Sequence, residues 1–220
     1  VSFSAFSHQV QDPRLPRQRR VSALRSCVQL YRPIGFAATL SFLEELAGPF
    51  QRDEHALPRA LDHLAASRAL WHEHLREYAD QRRAAKRLGH RTPWADAANP
   101  NLGPSIWYGA SRQAALHALN YWRRSRLPEL LAWDDPGAGE IDLAVTACLA
   151  GGGSLRADQR RLPDTAVQQV RRRIGGGLYG QDVLAYFRAR DLLRVAALVT
   201  NATDPDSAAA TDADRLSSLS

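Results

Sequence analysis

The sequence predicts an all-α protein, a single helical-bundle-like domain of about six to eight helices around one long helix. Three observations carry that prediction. Ala, Leu, Arg and Gln, all good helix formers, dominate the composition. Runs of Val, Ile, Thr and Tyr alternating as strands do are missing. The stretch Leu57 to Leu88 places Leu57, Leu61, Leu64, Trp71, Leu75, Tyr78 and Ala85 at the alternating four-and-three spacing of a packing seam. A chain of 220 residues that is 45% hydrophobic can bury a real core, which excludes disorder throughout.

Pro58 and Gly89 mark the two ends of the long helix, because proline is tolerated in a first turn and glycine commonly closes a last one. At 1.5 Å per residue it spans roughly 45–50 Å. Arg68 and Arg82 interrupt its seam. Each either snorkels past its neighbours, pairs with an acid such as Asp62 or Asp80, or faces a bound polyanion.

Upstream, residues 1–13 are expected to form a flexible arm, with Phe3, Phe6 and Val10 able to dock. A helix is expected over Arg17–Arg32, with Val21, Leu24, Val28 and Tyr31 on one face. A second follows over Phe36–Ala47, presenting Phe36, Leu40, Leu43 and Leu46, and Gly48-Pro49 stops it. Downstream, Gly89–Pro104 reads as an irregular stretch. Ser105–Arg126 reads as a helix rich in aromatics, and Pro128–Trp133 as one or two further turns. The turn-rich segment Asp134–Gly139 is the expected boundary between a main domain, residues 14–133, and a small C-terminal helical subdomain, residues 140–201. That subdomain should hold helices over Glu140–Ala150, Leu155–Leu162 capped by Ser154, Asp164–Ile174, and Gln181–Asn201. The last ends in an apolar run whose final turns should be buried. Residues 202–220 are expected to be a disordered acidic tail.

Charge gives the functional direction. Lys86 is the only lysine among 29 basic residues, a skew that suits GC-rich coding as well as selection for guanidinium groups. The net charge is +6; the last twenty residues carry −3, so the first two hundred carry +9. A positive body favours nucleic acid or acidic proteins. Cys27 and Cys148 stand too far apart to suggest a disulfide framework, and no apolar run of 18 residues is present. The expected setting is a reducing cytoplasm.

No motif identifies catalysis. Glu-x-x-His, paired-cysteine and phosphate-loop patterns are absent; His72 and His74 flank Glu73 at a spacing that divides them between two sides of a helix. Cys27 or Cys148 as a nucleophile would require a histidine partner. No enzyme activity, cofactor, metal or small-molecule substrate is expected.

Four basic clusters remain. Arg171, Arg172 and Arg173 lead into Gly175–Gly177, Tyr179 and Gly180, where free backbone N–H groups and arginines can hold phosphate and a tyrosine can stack on a base. Arg123, Arg124 and Arg126 follow Tyr121-Trp122. Arg82, Arg83, Lys86 and Arg87 end the long helix, and Arg19 and Arg20 begin an early one. In each case the competing account is ordinary: arginine favours a helix C-terminus, aromatics belong to cores, and charges solvate faces. The expected function is a non-enzymatic, Arg-rich helical subunit that binds the backbone of RNA or single-stranded DNA within a larger bacterial assembly. In being helical, basic and poor in motifs the chain resembles the small helical subunits of CRISPR effector complexes, a likeness of type that rests on no residue pattern. The alternatives are a double-stranded DNA regulator using the C-terminal helices, with Gln181–Arg194 entering a groove, and a helical protein–protein adaptor.

Overall fold

The computed structural model describes residues 2–90, 106–125 and 137–203. Its described residues form nine helices and no strand: α1 (Phe3–Gln11), α2 (Arg17–Leu30), α3 (Phe36–Ala47), α4 (Ala56–Arg87), α5 (Ser111–Ser125), α6 (Ala138–Ala150), α7 (Ala157–Gly175), α8 (Leu178–Gln181) and α9 (Val183–Thr203). The chain divides into two units, Val1–Gly109 and Ala110–Ser220. The division falls well before the expected boundary at Asp134–Gly139, of which residues 134–136 lie outside the described residues. The expected turns over 128–133 and the acidic tail from 204 onward lie outside them too, as does the irregular stretch from 91 to 105.

In the first unit the expected N-terminal arm is instead a helix. Ser2 caps α1 by accepting from the Ala5 amide, and Phe3 and Val10 are buried as α1 packs on α2 and α4. Their spacing of seven brings both to one helix face, which is the physical reason the segment folds onto the body. In α2 the buried face is Ala23, Leu24, Cys27 and Val28, with Tyr31 just beyond. In α3 the face differs from the expected one: Ala38, Thr39, Phe42, Leu43 and Ala47 are buried, while Phe36, Leu40 and Leu46 are partly exposed. The small residues let α3 approach its neighbours closely, and Phe42 meets Trp107 edge-on at 5.0 Å.

The long helix is formed as predicted, but its two halves differ. Leu57, Ala60, Leu61, Leu64 and Ser67 are buried, and Ser67 Oγ lies 2.9 Å from the Tyr31 hydroxyl. Beyond Ser67 no residue of α4 is fully buried. Trp71, Leu75 and Tyr78 are half-covered, Trp71 beside Tyr31 at 5.6 Å and His74 beside Tyr108 at 5.8 Å. Trp107 and Tyr108 therefore belong to a non-helical return along α4, whereas the sequence led to the expectation of a helix over Ser105–Arg126; the helix begins at Ser111. Arg68 settles its own question: its guanidinium sits 4.5 Å over the Phe3 ring, a cation–π contact that fixes α1 to α4.

The second unit is built around α9, which packs against α5, α6, α7 and α8. Leu192, Val195, Ala196, Leu198, Val199 and Ala202 are buried, as the apolar run predicted. Two expected helices, 155–162 and 164–174, are one. Pro163 lies inside α7 with its ring buried beside Ala166 and Val170; it forfeits one helical hydrogen bond but contributes apolar packing. Val167 and Ile174 are only partly covered. At its start the Gln159 side chain accepts from the Arg156 amide at 3.0 Å, and Ser154 is not the capping residue. Gly153 is required where it stands: φ is +90°, and a Cβ there would lie 2.6 Å from the Ala202 carbonyl oxygen.

Candidate nucleic-acid interface

The expected basic clusters meet different fates, decided by what lies within reach of each guanidinium. Arg20 is removed from the candidate interface. It is buried, donates to the Val10 carbonyl at 2.7 Å and pairs with Glu54, so it ties α1 and α2 to the turn before α4. Buried charge needs such partners, and its neighbours supply them. Arg19 is exposed.

On α4, Arg83 pairs with Asp80 one turn back, and Arg82 is half-buried. Lys86 and Arg87 are exposed. Arg76, which sequence reasoning did not single out, joins them. Steps of seven and four residues place Arg76, Arg83 and Arg87 within about 40° of one another around the helix, spaced roughly 10 and 6 Å along it. All three are exposed, opposite the side carrying Trp71, Tyr78 and Ala85. From Arg76 to Arg87 the helix carries five basic residues against Glu77 and Asp80, a net of +3. The heptad that put apolar residues on one side was the available signal; it also set these arginines on the other.

In the second unit Arg123 donates to the Thr146 hydroxyl at 2.7 Å, and Arg124 to the Asn120 carbonyl of its own helix. Trp122 is buried, so it packs the core instead of offering a stacking face. Arg126 lies outside the described residues. Arg171 and Arg172 are exposed, Arg172 donating back to Gln168 within α7; Arg173 is partly covered. Tyr179 is 59% exposed and meets Tyr186 edge-on at 5.0 Å.

The glycine segment does not form the open phosphate cradle expected of it. The amides of Gly176, Gly177 and Gly180 donate to Arg172, Ile174 and Gly177 carbonyls, so those donors are spent inside the turn. Asp182 Oδ1 accepts from the Ala185 amide at 2.9 Å, placing a carboxylate at the start of α9 where an anion would have to sit. Phe187 is 51% exposed, alongside Val183 at 47% and Leu184 at 68%.

Chemistry of other kinds finds little support. No group of three His, Cys, Asp or Glu among the described residues is placed to hold a metal ion. Burial pushes both thiols up, that of Cys148 to about 11, which leaves neither poised as a nucleophile. His74 and Glu77 are a loose surface pair at 4.0 Å. A recess of about 160 Å³ lined by Leu155, Arg160, Pro163, Asp164 and Val199 is smaller than the roughly 300 Å³ at which small-molecule sites begin. No described helix is long and apolar enough to cross a membrane. No family model, curated protein or solved structure matches the chain.

Proposed function

We propose that this protein is a non-enzymatic subunit that binds the phosphate backbone of RNA or single-stranded DNA through the outer face of α4, inside a larger bacterial, cytoplasmic assembly. One observation carries the reading: Arg76, Arg83 and Arg87 form a line of exposed guanidinium groups on one helix face, within a segment, residues 76–87, whose net charge is +3. A straight line on a convex helix follows a backbone without reading base edges, so sequence preference should be weak. Arg171, Arg172 and Tyr179 of the second unit offer a separate contact, with Tyr179 as a stacking face.

Duplex recognition by the C-terminal helices has less support. The free side of α9 begins with the apolar Val183, Leu184 and Phe187, and Asp182 stands at its N-terminus where a phosphate would approach. The adaptor reading draws on a specific observation, the exposed Tyr179, Val183, Leu184 and Phe187.

The test is fluorescence anisotropy with a labelled single-stranded RNA, the matching DNA strand and their duplex, across a salt series. Single strands should bind more tightly, with log affinity falling as log salt rises by about 0.7 per phosphate contact. Replacing Arg76, Arg83 and Arg87 by Gln should weaken binding to every sequence alike and flatten that slope by about 2. Asp80→Asn, which releases Arg83, should strengthen it. Binding indifferent to salt, or unchanged in the triple variant, would refute the assignment.

A further inference from the structure

One solvent face of α9 changes character along its length. Val183, Phe187, Arg190, Arg194 and Ala197 are all exposed and recur every three or four residues, so they form a single stripe. Read from the C-terminal end of α9, the stripe is basic at Arg194 and Arg190 and then apolar at Phe187 and Val183, with Leu184 beside them. Arg194 is held by Asp191 at 3.1 Å and Arg190 lies 5.8 Å over the Tyr186 ring, so both are already oriented along the helix surface. Together with Tyr179 the apolar side chains expose on the order of 500 Å², as large as the largest patch on a typical soluble monomer.

A symmetric pair of copies centred on the basic end would bring Arg190 and Arg194 of both together, and the cross-linking below distinguishes a second copy from an occupant within the same chain. A nucleic-acid strand is a poor occupant: Val183 and Leu184 have no π face, and Asp182 adjoins them. The complementary sequence is in the chain itself. Residues 204–220, outside the described residues, read Asp204, Asp206, Asp212 and Asp214 first, then Arg215, and Leu216 and Leu219 afterwards, a net charge of −3. A segment that leaves α9 at Thr203 and runs back along it meets the arginines with its acids and the apolar end with its leucines.

The reach is sufficient. Phe187 lies 16 residues before Thr203, about 24 Å along the helix axis, whereas the 13 residues from Thr203 to Leu216 can extend to about 43 Å. Val183 requires about 30 Å, and Leu219 commands about 53 Å. The attachment is covalent, so the local concentration is in the millimolar range and individually weak contacts suffice. We infer that residues 204–220 fold back on α9 and cover its exposed stripe through Asp–Arg pairing at one end and leucine packing at the other.

Cysteine cross-linking in the full chain tests this. Phe187→Cys is combined with Leu216→Cys and compared, under mild oxidation at low protein concentration, with Leu216→Cys paired to a cysteine at exposed Gln168 on α7. Native Cys27 and Cys148 are buried and stay silent. The Phe187 pair should close at least ten-fold faster. Arg190→Glu with Arg194→Glu should remove most of that advantage, and adding Asp212→Lys with Asp214→Lys should restore it. Equal rates for the two pairs overturn the inference. A disulfide formed chiefly between molecules overturns it as well, since the stripe would then seat another copy's segment. Loss of salt-bound RNA affinity in the α4 variants bears on the nucleic-acid reading alone and leaves this result unaffected.

Discussion

Arg20→Ala separates a folding arginine from a binding one. The side chain is 6% exposed and holds the Val10 carbonyl and Glu54. Removing it leaves a buried carbonyl without its donor, which costs about 1–3 kcal/mol. The Glu54 pair adds less than a fully buried pair would, because Glu54 is 52% exposed and water screens it. Loss of the stem's packing brings the total to about 2–4 kcal/mol. For a unit of this size that corresponds to a fall in Tm of roughly 10–20 °C. Arg19→Ala, at an exposed position one residue away, should change stability by less than about 0.5 kcal/mol. Thermal melts followed by circular dichroism measure both. If Arg20→Ala melts with the parent protein, or if Arg19→Ala costs as much, the assignment of Arg20 to the fold is wrong.

Two other perturbations follow from local geometry and charge. Gly153→Ala should cost about 2–4 kcal/mol, since it combines a backbone strained for any L side chain with a carbonyl in the way, whereas Gly152→Ala, with open space, should cost about 1 kcal/mol; matched urea titrations distinguish them. His72 has a lowered pKa, first from desolvation and then from Arg68 and Arg76, so its neutral form is favoured in the folded chain. Its contribution to stability is therefore fully present above about pH 6.5 and is lost as pH falls below that value through the depressed one, and His72→Gln should flatten stability across that window.

What the sequence made legible depended on how far the deciding contact lay along the chain. The bounds of α3 and of the long helix were readable because Gly48, Pro58 and Gly89 act on their immediate neighbours. The α1 helix was missed because Pro13 and Pro16 outweighed the spacing of Phe3 and Val10, and the contact that orders it, with Arg68, is 65 residues away. Pro163 read as a helix stop because propensity treats it as a breaker, but tertiary burial of its ring won. The candidate site shows the same limit. Among Arg17, Arg19, Arg20 and Arg25 nothing local marks Arg20, whose fate is set by Val10 and Glu54. Arg76 was overlooked because it stands alone in sequence and joins Arg83 and Arg87 only through the helical period.

The basic stripe depends on the half of α4 that has least packing behind it. About twenty residues of helix beyond Ser67 would be marginal in water by themselves. Among the described residues the contacts on this half include Arg68 over Phe3, Trp71 on Tyr31, His74 on Tyr108, and Leu70 under Gly109. Trp71 is the largest of these. It is partly exposed, so Trp71→Ala should cost about 2 kcal/mol, below the 3–5 kcal/mol of a fully buried tryptophan. Its buried indole N–H has no partner among the described residues, so Trp71→Phe removes an unsatisfied donor along with some packing and should stay within about 1 kcal/mol of the parent. Hydrogen exchange supplies the decisive readout. Trp71→Ala should strip protection from residues 76–87 and weaken RNA binding while Leu57–Leu64 remain protected; Trp71→Phe should do neither. Unchanged protection over 76–87 in the alanine variant would mean that the distal helix is held by something other than these aromatic contacts, and the arginine line would then be independent of the core it was argued to grow from.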